Sequence, residues 1–274
     1  MIHTASPFHF NVQDPVKDFL DPAIKGTTGI LKAIKAYAPT VKRVVVTSSF
    51  AAIINTKNHA DVYSERLWNP ITWEEAQDPA QVYRGSKVRR SYAYIISVVI
   101  LTCQFQTFAE KSAWEFVEKE KPGFDLVTIN PPLVLGPIVH YLNSLEAINT
   151  SNARVRDLIQ GKSKEKLPPT VTYLWVDVRD VALAHVRAIE VPEAGGQRFF
   201  VTAGHYTNKQ TAEIIREAYP ELESKLPPKD APDDLPANVY GYDNKKSIEV
   251  LGLKYRSLKD SVVDTVKSLL AVGA

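Results

Sequence analysis

The sequence predicts an α/β protein built on an open parallel sheet, and three observations carry that expectation. Arg43-Val44-Val45-Val46-Thr47 is a run of β-branched residues without polar alternation, which suits a strand buried on both faces. The run ends in three hydroxyls, Thr47, Ser48 and Ser49, and chemistry in open α/β sheets collects at the carboxyl ends of strands. A second apolar run, Phe124 to Asn130, ends in Pro131-Pro132, while segments between and after the two runs repeat their apolar residues at helical spacing.

Along the chain, Asp21-Pro22 opens the first helix, with Asp21 as N-cap and the proline in the first turn. Ile24, Thr27, Leu31, Ile34 and Ala38 share one face, and Pro39 ends it. Gly26-Thr27-Thr28-Gly29 lies inside this pattern and follows no strand, so it reads as a helix-packing feature rather than a phosphate-binding turn. After the strand at 43–47 the chain is polar from Asn55 to Pro79; Glu65 and Trp68 either line a pocket or anchor the surface. Tyr83-Arg84-Gly85-Ser86-Lys87 then places a phenol and an ammonium four apart, on one face of a helical turn. A free tyrosine, with a pKa near ~10, is a poor proton donor at neutral pH. A neighbouring cation favours the phenolate and lowers that pKa. Next to a serine hydroxyl holding a carbonyl oxygen, such a tyrosine can deliver a proton, with hydride supplied by a nicotinamide cofactor.

Beyond the strand at 124–130, residues 139–160 mix helix and loop, with Asn143 and Asn149 as capping residues or substrate contacts. Thr172 to Val176 reads as a strand, and Asp180 as the N-cap of a helix from Val181 to Ile189. His185 lies on that helix's apolar face and reads as a packing histidine. Gln197 to Thr202 is a strand returning to the main sheet, Asn208 to Tyr219 a helix, and Pro220 to Pro236 a proline-rich loop. Asp243 and Asn244 lead a short helix to Leu251. Ser257 and Asp260 open the last helix in a capping-box-like pattern, with Leu258, Val262, Val266 and Leu269 buried.

The 274 residues suffice for one large core or two modest ones, and a net charge of +2 points to no nucleic-acid partner. A single cysteine excludes an internal disulfide and fits a reducing compartment. No secretory signal follows Met1 and no apolar run reaches the ~18 residues of a membrane span, so the cytoplasm is expected. No pair of His, Asp, Glu or Cys has metal-ligand spacing, so no metal is expected.

Six strings then identify a resemblance: His3 to Phe8, Arg43 to Ile53, Tyr83 to Lys87, Ala109 to Phe116, Asn130 to Pro137 and Val176 to His185. Together they resemble the extended short-chain dehydrogenase/reductases of the NAD(P)-dependent epimerase/dehydratase superfamily. The nearest group is that of aldehyde/ketone (methylglyoxal-type), dihydroflavonol and cinnamoyl-CoA reductases. The Tyr–Lys spacing alone is weak; its order, after Thr47-Ser48-Ser49 and before Asn130-Pro131-Pro132, is strong.

The resemblance implies a Rossmann-like doubly wound parallel sheet with a smaller C-terminal substrate domain. Residues 1–135, with 176–204 returning to them, would form the dinucleotide-binding part; 136–175 and 205–274 would be mainly the substrate domain. It implies NADP as cofactor, with NAD as the other possibility, and reduction of a small-molecule aldehyde or ketone by a monomer or homodimer. Epimerase or dehydratase chemistry on the same fold, or a non-catalytic fragment or interaction module, are the alternatives. Ser49 would polarise the carbonyl, with Ser48 a backbone-bonding turn residue. Tyr83 would donate the proton, and Lys87 would tune Tyr83 and hold the nicotinamide ribose. Thr4, Ala5, Ser6, Thr47, Tyr83, Lys87, Pro131 and Val134 would contact the cofactor, Val134 through its backbone amide. Pro132 stands where the family usually has a serine or alanine-like residue, which removes one backbone donor. Phe50 and Ile54 would wall the substrate pocket. Phe8 would touch cofactor and substrate, or serve as an aromatic plug.

Two features depart from the pattern. In the family the string at 3–8 is an interior strand preceded by a βαβαβ half with a Gly-rich turn, so the expectation is a chain truncated at its N-terminus. The nineteen residues Val88 to Gln106 interrupt the family's text. They read as an insertion, or as a retained and translated intron, since valine codons begin with GT and glutamine codons can end in AG. At ~100° per residue, nineteen helical residues would turn Phe108, Ala109, Ala113 and Phe116 out of line with Tyr83. The stretch must therefore loop out, or the helix must be rebuilt with other residues against the sheet. Cys103 lies inside it and is assigned no chemistry.

Overall fold

A computed structural model of the chain describes residues 1–5, 14, 16–77, 92–142 and 144–274, with the backbone alone described for Phe19 and 92–104. The strands are β1 (Ile2–His3), β2 (Arg43–Thr47), β3 (Val62–Tyr63), β4 (Asp125–Asn130), β5 (Leu133–Leu135), β6 (Leu174–Asp177), β7 (Arg198–Phe200), β8 (Gly204–His205) and β9 (Gly241–Tyr242). The α-helices are α1 (Asp21–Tyr37), α2 (Trp73–Gln77), α3 (Tyr92–Glu120), α4 (Thr150–Ile159), α5 (Val178–Glu190), α6 (Asn208–Ala218), α7 (Lys245–Glu249) and α8 (Leu258–Ala271).

The residues group into two compact units: Met1–Pro131 with Ala184–Val201 and Tyr240–Gly252, and Pro132–Leu183 with Thr202–Val239 and Leu253–Ala274. Residues 240–252 join the first unit, where the sequence reading had assigned 205–274 mainly to the other. The reason is local: β9 pairs in parallel with β3, Val62 opposite Gly241 and Tyr63 opposite Tyr242.

The first unit holds a four-stranded sheet in the order β1-β2-β4-β7, every neighbouring pair parallel. Val44, Val45, Leu126, Val127 and Ile129 are fully buried, as runs covered on both faces require. Val44, Val46 and Leu126 pack with Leu31 and Ile34 of α1 and with Ala113 and Phe116 of α3. At the amino ends of the strands, the Arg43 guanidinium forks onto Asp125 at 2.7 and 2.9 Å and donates to the carbonyls of Ala188, Val191 and Pro192. A planar, always-charged donor is suited to such convergent acceptors.

Two expectations are corrected here, and of the two courses open to the stretch at 88–106 the structure takes the second. Asp21 does not cap α1: the helical course starts with a π-helical turn at Val16–Leu20, and Asp14 Oδ1 accepts the amides of Val16 and Lys17. Asp21 sits one turn inside, paired with Lys25 at 2.5 Å. Gly26 and Gly29 do not pack closely, because both are exposed and open space surrounds them. The stretch at 88–106 does not loop out over its described part; from Tyr92 it is the first half of one 29-residue helix, rebuilt against the protein by other residues. Phe105, 2% exposed, packs with Leu20, Ala23, Ala76 and Ala109, while Phe108 is half-buried and meets Trp73 edge-on at 5.1 Å.

In the second unit β5 pairs in parallel with β6, and β6 antiparallel with β8. Its core joins Leu135, Val155, Leu158, Trp175, Tyr206, Ile215, Val262 and Val266. A reciprocal Thr207–Gln210 capping box starts α6, and Ser257 accepts the Asp260 amide at the start of α8. Asp180 is not the cap of α5. The helix begins at Val178, the Asp177 carboxylate accepts the Arg179 amide at 2.8 Å, and Asp180 lies buried in the first turn, paired with Arg256. Burial alone would raise the Asp177 carboxyl, but hydrogen bonds from Arg179 and Ser261 outweigh it and hold the group below the usual carboxylate range. Asn149 holds the N-cap position of α4 without a side-chain cap bond, and Asn143 lies outside the described residues.

Candidate functional site

The carboxyl ends of β2 and β4 are joined by a short network. The Ser48 amide donates to Ile129 O at 2.8 Å, which carries the pairing one residue beyond β2. Ser49 is extended and caps the 3₁₀ turn Phe50–Ala52, its Oγ accepting the Ala51 amide at 3.1 Å. The Phe50 amide reaches Pro131 O at 2.9 Å, and Asn130 Nδ2 donates to Ser49 O at 3.2 Å. Ser49 is thus fixed by bonds to its carbonyl and to its side-chain oxygen, half-buried, and among the described residues its hydroxyl proton has no acceptor and is left to donate.

Ser48 departs from the expectation of a backbone-bonding turn side chain. It is buried, and its Oγ donates to Glu110 Oε2 at 2.5 Å. Glu110, on α3 and 2% exposed, gathers four further donors: Thr128 Oγ1 (2.9 Å), Asn130 Nδ2 (2.7 Å), Arg198 Nε (2.6 Å) and Trp114 Nε1 (3.3 Å). Arg198 in turn donates to the carbonyls of Glu65 and Leu67 and lies 3.6 Å from the Trp68 ring centre. Asn69 closes the loop onto the turn after Ser49, donating to Ala51 O at 3.1 Å. Glu65, nearly buried, faces Lys246 at 3.8 Å, and burial pushes that ammonium down while Glu65 pulls it back up. Trp68 and Glu65 are therefore tied into the protein.

Of the remaining expected positions, Thr47 engages His185 Nε2 through Oγ1 at 2.7 Å, so the histidine has a polar partner as well as its packing. Thr4 and Ala5 are exposed just beyond β1. Pro131 is buried. Val134 is half-buried in β5, opposite Val176. Phe50 and Ile54 are 4% and 3% exposed, and the Phe50 ring stacks on Phe200 at 5.0 Å and meets Tyr63 edge-on at 5.2 Å. Ser6, Phe8, Tyr83 and Lys87 lie outside the described residues.

Glu110, Arg198, Asn130 and Asn69 were missed by sequence reasoning. A signal existed: Ser48, Thr128 and Asn130 place side-chain donors at or near the ends of buried strands, and buried donors demand acceptors. Glu110 stands between Ala109 and Ala113 on a face that packs inward, where an unpaired carboxylate could not remain. A cofactor is tested by the same donor set. With Thr47, Ser48 and Thr128 already engaged, the Ser49 hydroxyl and the backbone groups at the carboxyl ends of adjacent parallel strands remain, and they suit neutral hydrogen-bonding groups such as a ribose and a carboxamide. Among the described residues no group of three His, Cys, Asp or Glu could hold a metal ion, and no helix is long and apolar enough to cross a membrane.

No family model matches the chain. It is 53% identical over 271 residues to the ketoreductase azaE of Aspergillus niger, covering 98% of this chain and 75% of that protein. It is 37% identical over 279 residues to the NADPH-dependent methylglyoxal reductase GRE2 of Saccharomyces cerevisiae, covering 98% and 76%. Among solved structures, that of yeast methylglyoxal/isovaleraldehyde reductase Gre2 complexed with NADPH matches with a TM-score of 0.84 at 36% identity, over 98% of this chain and 76% of that one.

Proposed function

This chain belongs to the extended short-chain dehydrogenase/reductase family, within its ketoreductase and methylglyoxal reductase group, and from that premise we propose that it reduces a small-molecule aldehyde or ketone to the alcohol with NADPH. The observation that carries the reading is Ser49. It stands at the carboxyl end of a central strand, anchored through Asn130, with Oγ accepting the Ala51 amide and so able to donate its own proton to another group. A hydroxyl held this way can donate to a carbonyl oxygen and stabilise the charge that develops there.

Bound NADPH supplies hydride to the carbonyl carbon. Tyr83 gives its phenolic proton to the oxygen, and the Lys87 cation, four residues on, makes that phenol acidic enough to act near neutrality. Lys87 would also hold the nicotinamide ribose. Thr4, Ala5, Ser6, Thr47, Pro131 and Val134 would hold the cofactor; because the Thr47 hydroxyl is engaged with His185, its part would be to shape the strand end. Phe8, Phe50 and Ile54 border the substrate. The preference for NADPH over NADH follows the relatives. We take the protein as a cytoplasmic monomer or homodimer, the location from its single cysteine and the assembly from the family resemblance.

The test is NADPH consumption, followed by absorbance, with a panel of small aldehydes and vicinal dicarbonyls. Wild type turns over, and Tyr83→Phe loses on the order of a hundredfold or more in kcat. No NADPH consumption by wild type with any carbonyl, or equal rates in wild type and Tyr83→Phe, overturns the reading.

A further inference from the structure

We propose that Glu110 is a positioning residue: its buried carboxylate holds the Ser48-Ser49 turn in the geometry from which Ser49 meets its substrate, a role that rests on the reductase reading above. The carboxylate grips the turn from both sides. Through Ser48 Oγ at 2.5 Å it holds the end of β2, one residue before Ser49. Through Asn130 Nδ2 at 2.7 Å it orients the amide that also donates to Ser49 O at 3.2 Å. The bond between the Phe50 amide and Pro131 O closes the ring on the far side of Ser49. Ser49 itself makes no hydrogen bond to Glu110 among the described residues, so the influence passes through Ser48 and Asn130.

The donor set explains why a charge is needed. Ser48, Thr128, Asn130, Trp114 and Arg198 all donate toward Glu110, and a charged carboxylate accepts on both oxygens. A carboxamide would turn an N–H₂ toward Ser48 and Asn130, or toward Thr128 and Arg198. Either orientation opposes donor to donor: one releases Ser48 and Asn130, and the other releases Thr128 and Arg198, which anchor the carboxylate itself. Arg198 gives the site a third arm, since it is bonded to Glu110 and to the carbonyls of Glu65 and Leu67. The loop that closes over the turn is thereby fixed to the same carboxylate.

Three variants test the proposal. Ser48→Ala removes one arm and leaves the Glu110–Arg198 pair intact, which keeps the test sound if Glu110→Gln fails to fold. Trp114→Phe removes a donor to Glu110 that touches neither serine. Ser48→Ala and Glu110→Gln are expected to lower kcat roughly tenfold or more, with KM for NADPH nearly unchanged. In a Ser49→Ala background Ser48→Ala should cause no further loss, because the group it positions is gone. Backbone amide exchange should accelerate at residues 48–52 and stay unchanged in α1. Trp114→Phe should change neither rate nor exchange in the turn. An undiminished kcat in Ser48→Ala, an equal loss in the Ser49→Ala background, or acceleration spread evenly over the unit overturns the proposal. If wild type reduces no carbonyl, the reductase reading fails and exchange alone decides: acceleration confined to 48–52 upholds the grip on the turn, and uniform acceleration refutes it.

Discussion

Ser48 and Ser49 are adjacent, chemically identical and put to opposite uses. Ser48 points into the protein and is consumed by Glu110, whereas Ser49 accepts an amide and keeps its proton. Successive side chains of an extended segment face opposite ways, so one of the pair had to point inward. Which one did so was readable only through the family resemblance, and its partner, 62 residues away, was not readable at all. Phe105 poses a similar case. It lies in the stretch that breaks the family's text, yet it is core. Phe105→Ala is therefore expected to cost about 3–5 kcal/mol in urea unfolding. A cost near zero would show that the buried contact contributes nothing.

At the scale of elements, the helices were legible in existence and face; α6 and α8 start where expected, whereas α1 and α5 were misplaced at their starts. Asp14-Pro15 and Asp21-Pro22 carry the same capping signal, as do Asp177 and Asp180. In each case the earlier aspartate caps and the later one is inside the first turns, paired with a base. Gly26 and Gly29 occupy exposed interior positions of α1 with open space beside them. Each change to alanine should stabilise the protein by roughly 0.5–1 kcal/mol, read as a rise in urea midpoint. At α5, the Asp177 carboxyl is held below its ordinary value of 3.8, so its charged form belongs to the folded state. The stability it contributes is full above that value and is lost as pH falls through the lower, folded value. Wild type should exceed Asp177→Asn in stability by roughly 3 kcal/mol at pH 7. The gap should narrow progressively below 3.8. A gap independent of pH would show that shape, not charge, is what Asp177 supplies.

For the molecule as a whole, the reductase reading links cofactor binding to stability. A ligand bound only by the native chain, at a hundred times its dissociation constant, adds about 2.7 kcal/mol. For a chain of this size that is roughly 5–10 °C in Tm. NADPH should produce such a shift and adenosine alone should not; an unmoved Tm at millimolar NADPH would argue against cofactor binding by this chain.

The amino-acid sequence by itself determined the α/β class, the central strands, the amphipathic faces of the helices and the family, because periodicity, β-branching and ordered motifs are local and survive without neighbours. Only the tertiary structure decided that Ser48 is spent on Glu110, that Arg198 ties the Trp68 loop to the sheet, that residues 240–252 belong with the first unit and that Phe105 is core. Those outcomes depend on which distant donor meets which buried acceptor. The demand for such partners is written in the chain; their identity arises only when it is folded.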